Sequence, residues 1–268
     1  LSIRRQRQMC IRDSPATASN PNFGVGIGAN FGTADDAPLL NTTAAVSITG
    51  TTSVTTADHM GVYIRGTTLN AGSSVVSINT DRQVKFDAGN SFSSRVNVTS
   101  GSHIFVPAAN TFTGASADRS VSLTSTNGWV EVQGAVTTSS GLEISCPAGG
   151  FSSNASGTIS SSGTVTIDCG SVETLAAISS AGSVSLTSSG ASSSVSVGGN
   201  ITTTTTGANI SLRSKSNILV RASVRVQTAG RSSGSGGNIV LWSDSDASGQ
   251  GYIWTYPNTT FNSIGGST

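Results

Sequence analysis

The chain has 268 residues, 32 of them Gly, with only 10% charged and 5% aromatic side chains. Its formal charge of +1 comes from the first fourteen residues, where Arg4, Arg5, Arg7 and Arg12 face Asp13 alone; subtracting these leaves ten basic and twelve acidic residues. No basic stripe remains to track a phosphate backbone, which excludes nucleic acid as a partner, and no apolar run is long enough to insert in a bilayer.

Residues 1–14 stand apart from everything after them in being basic and non-repetitive. Arg7-Gln8-Met9-Cys10-Ile11-Arg12-Asp13-Ser14 resembles a translated sequencing adapter, which implies a non-native segment. A signal-peptide n-region is the other obvious reading, but no apolar h-region follows; a basic nucleic-acid arm is a third. Residues 15–39 form a lead-in. In it Phe23-Gly24-Val25-Gly26-Ile27-Gly28 has glycines at fingerprint spacing but no following helix, so a dinucleotide site is set aside. Alternating Gly and apolar residues predict a tight or bulged strand.

From Leu40 onward one small unit returns: two apolar residues around one polar residue. It runs from Val46-Ser47-Ile48 and Val76-Ser77-Ile78 through Val130-Glu131-Val132 and Val165-Thr166-Ile167 to Ile210-Ser211-Leu212 and Ile239-Val240-Leu241. This period of two marks strands with one buried face. Each unit is too short to make a core alone, so the units must stack on one another as a solenoid. The β-branched residues suit such strands, and their regular placement argues against disorder. The predicted fold is an all-β parallel β-helix over residues 40–268, truncated at its C-terminal end, an internal piece of a longer protein. A coil of roughly twenty residues is expected, with Val165, Val184 and the region near Ile201 marking its period. About twelve coils would make a rod on the order of 60 Å long. Asn127-Gly128, Gly198-Gly199-Asn200 and Gly236-Gly237-Asn238 are expected to turn corners with positive φ. Val165, Ile167, Val184, Leu186, Val195, Val197, Ile210 and Leu212 should be buried, with Thr166, Ser185, Ser196 and Ser211 pointing out.

Gly236-Gly237-Asn238-Ile239-Val240-Leu241-Trp242-Ser243-Asp244 and Gly249-Gln250-Gly251-Tyr252-Ile253 resemble a recurring element of filamentous-haemagglutinin-like exoproteins. Asn209-Ile210-Ser211-Leu212 and Ser216-Asn217-Ile218-Leu219-Val220 are similar to coils that precede it in that family. The resemblance covers residues 160–268. It implies a right-handed parallel β-helix in the shaft of a large secreted bacterial adhesin, exported by the two-partner route through an outer-membrane transporter. It implies no enzyme and no cofactor, a host-cell or matrix glycan or protein receptor, and a place outside the cell or on its surface. The family's secretion domain has no counterpart in this sequence. A polysaccharide lyase or hydrolase on the same fold, and an autotransporter passenger, are the competing readings.

Candidate sites are few. Cys146 and Cys169 each follow a triad by two residues, which puts both thiols on the apolar face of adjacent coils. Side chains on stacked rungs run parallel rather than converge, which favours two packed thiols over a bridge. Asp244, Asp246 and Ser248 open like a calcium loop, but Thr255 stands where calcium prefers a bidentate Glu; a polar turn is the simpler reading, and no metal is expected. His59 and His103 lack partners in sequence. Asp81 and Asp87 flank one strand without matching carboxylates in later coils, and Glu131 and Glu143, each at the middle of a triad, are expected to point outward, where one face could hold both; two exposed carboxylates read more simply as solubility than as an acid–base pair. Thr202 to Thr206 reads as one strand. Tyr252, Trp254 and Tyr256, at i, i+2 and i+4, are predicted to share one outer face with Ile253 inside, and Trp242 points outward from the strand before. These four are the candidate binding residues, for sugars or a protein surface; the competing reading is that the rings cover one another or lie under a neighbouring coil.

Overall fold

A computed structural model describes residues 23–28, 39–51, 60–87, 89–113, 121–230 and 236–264; residues 1–14, Cys10 among them, and His59 lie outside these. Among the described residues the chain is all strand and turn, with no helix. Every strand pair is parallel, as a coil that repeats in one direction requires. One coil shows the plan: Val184–Ser188, a turn, Val195–Val197, a second turn, and Ile201–Thr203. Between the first and last described coils each strand bonds to its counterpart one coil before and one coil after, so the molecule is a β-solenoid of three strand stacks. The first and second stacks merge into one 17-stranded sheet, because Leu142–Ser153 and Val165–Thr174 run unbroken around the corner between them. The third stack is a separate sheet of ten strands.

The triads put like on like. Val165 lies on Val184, Val184 on Ile210 and Ile210 on Ile239, and Ile167, Leu186 and Leu212 stack beside them. All eight predicted core residues are buried, whereas Thr166, Ser185, Ser196 and Ser211 face outward and are half-buried. The third stack adds rings to the core. Phe92 and Phe112 are register partners, stacked with centroids 4.9 Å apart, and Phe86 meets both edge-on at 5.8 and 6.3 Å. The lead-in takes part as well: Phe23–Gly28 pairs with Met60–Arg65 in the second stack.

Several expectations about geometry are corrected. The coil after Val184 continues at Ile210; Ile201 belongs to the third stack, between Ile178 and Val226. Coils range from 19 residues (Val165 to Val184) to 37 (Val25 to Val62), because the strands repeat while the connections vary in length. Longer coils mean a shorter rod: the ten strands of the third stack span roughly 43 Å at ~4.8 Å per strand. Among the described residues positive φ falls not at the predicted corners but at Gly28, Gly66, Gly72, Gly89, Gly207 and Gly249, and at Ser223, Asp244, Ala247 and Asn258. At Gly128 the glycine serves close approach instead, since a Cβ there would stand 2.6 Å from the Ser102 carbonyl in the coil below. Thr202 to Thr206 is half strand: Ile201–Thr203 ends it, and Thr204 to Thr206 are exposed in the turn.

The corner after the first stack explains the cysteines. Thr80, Ser100, Ser188 and Ser214 occupy it in other coils, all buried, and their hydroxyls tie it together. Ser188 Oγ donates to the Gly170 carbonyl at 2.9 Å and Ser214 Oγ to Ser193 at 3.0 Å, each reaching the preceding coil. Cys146 and Cys169 hold the same position in consecutive coils and are joined by a disulfide. The packed-thiol expectation therefore fails. Direct register partners here have Cα atoms 4.3 Å apart, so the two Cβ–S bonds need only lean toward one another across a single strand spacing.

Candidate binding face

Register, not sequence distance, assembles the surface. The outward residue of each second-stack triad lies over its counterpart, giving a ladder along the rod. At one end it reads Tyr63, Lys85 and Phe105. Glu131, Ser152 and Glu173 follow, and then Ser196, Leu219 and Trp254.

Trp254 stands on the strand Ile253–Thr255 with Tyr252 and Tyr256 to either side. Strand parity throws the three rings to the same side, as predicted. Tyr252 meets Trp254 edge-on at 6.2 Å, and Trp254 stacks on Tyr256 at 6.0 Å with an angle of 29° between the ring planes. All three are exposed, Trp254 to 55%. Ile253 lies over Ile218 as an inward residue should, yet it is 46% exposed rather than covered, because no described strand lies above it. Trp242 also faces outward, but on the first stack. It is the register partner of Arg213, whose guanidinium sits 4.7 Å from the centre of its ring. The four candidate aromatics thus divide between two faces, three on one and one on the next.

Beside Tyr256 the surface dips into an open hollow of about 430 Å³ lined by Ser196, Leu219, Arg221, Ala222 and Tyr256. The Arg221 guanidinium donates to the Glu173 carboxylate two coils below. Both are about half exposed, so the pair adds little stability; it does fix where the guanidinium points. The hollow offers an aromatic face, a charged donor held in place by Glu173, and a serine. Sequence reasoning missed Arg221 and Glu173, which are 48 residues apart and meet only through the register of the coils between them.

The far end of the same ladder was missed as well. Lys85 Nζ lies between two rings, 5.6 Å from the centre of Tyr63 and 5.7 Å from that of Phe105. The Tyr63 hydroxyl donates to Asp87. Burial raises the ionisation of this phenol from 10.0 to about 12, assisted by the hydrogen bond to Asp87 and its negative charge and opposed by Arg65.

The remaining candidates separate. Glu131 and Glu143 do not share a face: Glu131 belongs to the second stack and accepts from Gln133 Nε2 at 2.6 Å, whereas Glu143 belongs to the first, between Ser122 and Thr166. Asp81 is exposed beside Arg82, and the exposed His103 has Nδ1 2.9 Å from Ser102 Oγ. In the Asp244 loop the carboxylate closes its own turn, accepting from Ser248 Oγ at 2.9 Å and from the Gly249 amide at 3.0 Å. Those bonds, the Ser248 hydroxyl first, hold Asp244 below the usual carboxylate range. Asp246 accepts from the Ser248 amide at 3.3 Å, and Thr255 lies on its strand, exposed. Among the described residues no three His, Cys, Asp or Glu side chains gather as metal ligands.

No protein-family model, no curated protein and no solved structure matches the chain.

Proposed function

We propose that this chain is a shaft segment of a large secreted bacterial adhesin or exoprotein, and that the Tyr252–Trp254–Tyr256 face makes its contact with a receptor glycan or protein. The observation that carries the reading is the ring stripe beside the Arg221–Glu173 hollow. A chain with 5% aromatic residues sets three rings outward on and beside one short strand, next to groups that hydrogen-bond sugar hydroxyls. Aromatic faces with a polar rim are the usual makings of such a contact. The likeness of residues 160–268 to filamentous-haemagglutinin-like coils supports the same reading and brings with it two-partner export through an outer-membrane transporter. The separate likeness of Arg7 to Ser14 to a translated sequencing adapter makes residues 1–14 an adapter remnant in this reading, which adapter-free sequencing of the source would check. The competing reading is a polysaccharide lyase or hydrolase on the same fold; a hydrolase needs paired carboxylates, and Glu131 and Glu143, the pair considered for that role, point from different faces.

The test is a glycan array and a cell-adhesion assay with the protein and its Trp254→Ala variant, both checked for the same strand signal by circular dichroism. Binding to glycans or cells that falls at least tenfold on Trp254→Ala, with polysaccharide chain length unchanged after incubation, supports the reading. Depolymerised polysaccharide overturns the shaft reading in favour of the enzyme. Binding indifferent to Trp254, Tyr252 and Tyr256 overturns the assigned face.

A further inference from the structure

The disulfide lies where no donor can reach it. Cys146 and Cys169 are both 0% exposed, on the inward side of the corner between the first two stacks. The next coil covers Cys169: Ser188 is its register partner, and the Ser189 amide donates to the Cys169 carbonyl at 2.8 Å. On the other side Cys146 rests on the coil of Val121–Ser125, whose Thr124 is the partner of Ser145. Thiol–disulfide exchange requires a thiolate to meet the donor sulfur directly, and a thiol enclosed in a packed core is inert.

We propose that Cys146 and Cys169 are bridged before the coil of Val184–Ser188 docks onto Val165–Thr174, by exchange with a disulfide donor, and that the closed coil then seals the bond. The chain therefore meets an oxidising compartment while this part of its stack is still open, since reducing compartments hold thiols apart. One cysteine thiolate attacks the donor disulfide, forms a mixed disulfide and releases one donor thiolate. The second cysteine thiolate then displaces the other donor sulfur and makes the Cys146–Cys169 bond. The two cysteines lose two electrons, the donor gains them as two thiols, and the cysteine protons end on those thiols. The inference rests on burial and register alone and is independent of the attachment reading.

The experiment uses the full chain with Cys10→Ser, so that only this pair reports. Reduced, denatured protein is refolded without oxidant, and oxidised glutathione is added at intervals. Acid quenching and peptide mass spectrometry then measure the bridge, while circular dichroism follows the strands. Bridging should be fast with donor present from the start, and slower by roughly 100-fold or more once the strand signal is complete, because access then waits on local opening. A reduced chain that does not fold at all without donor also supports the proposal, since the bridge then precedes the stack. Oxidised native protein should resist dithiothreitol until denaturant is added. A folded dithiol that oxidises as fast as the unfolded chain, or a native bridge reduced as fast as an unfolded one, overturns it.

Discussion

Tyr63 shows how a residue on an outward ladder comes to be buried. Its neighbours Lys85 and Asp87 fold over it, and the phenol pays for that shelter in acidity, rising from 10.0 to about 12. A tyrosine that ionises later in the folded state than in the unfolded chain stabilises the fold fully below pH 10. That contribution is lost as pH rises from ~10 through ~12, because the unfolded chain releases its proton first. Ultraviolet titration should therefore show a phenol that ionises near pH 12, and thermal unfolding should weaken across the same window. In Tyr63→Phe the late phenolate should disappear and the drop in stability across that window should shrink. A late phenolate that persists in the variant would assign the shift to another tyrosine.

At the scale of a strand, the serine corners and the cysteine corner are two solutions to one problem. A hydroxyl ties a coil to its neighbour through a backbone carbonyl; the disulfide does so covalently. Serine is thus already suited to the cysteine positions, and Cys146→Ser combined with Cys169→Ser should keep the strand signal. It should lose about 3 kcal/mol in denaturant unfolding, the chain-entropy value for a closed loop of this size, the two cysteines being 23 residues apart. Loss of the fold would show that the corner cannot accept hydroxyls there. The parity that put Val165 and Leu186 inside was legible because a strand repeats every two residues whatever surrounds it. The same parity placed both cysteines on one buried column and the three C-terminal rings on one face. What parity cannot supply is which strand lies over which. Ile201 was misplaced because connections between strands differ in length, and Glu173 was not linked to Arg221 because their meeting depends on two intervening registers. Glycine was misjudged for a related reason: at Gly128 its small size matters for the coil below, a contact no local turn pattern reveals.

As a whole molecule the solenoid behaves as a row of coupled coils, each held mainly by its two neighbours. Backbone amides cross between coils throughout; Val165 donates to Ser183 at 2.9 Å and Val184 to Asn209 at 2.8 Å. The tie is strongest in the middle. There the 12-residue strand Leu142–Ser153 and the 10-residue strand Val165–Thr174 lie side by side around a corner, with the disulfide between them. Toward the last described coil the core thins, and Ile253 is open to solvent. Local opening should therefore start at the outer coils and reach the centre last. Hydrogen exchange followed by mass spectrometry should find the slowest amides between residues 142 and 188, and faster ones in 239–264 and 39–50. Reducing the bridge under denaturing conditions and refolding the dithiol, or using the double serine variant, should lower protection at the centre more than at either end. Equal protection along the rod would mean that the coils open as a single cooperative unit, and the description by neighbouring coils would then be wrong.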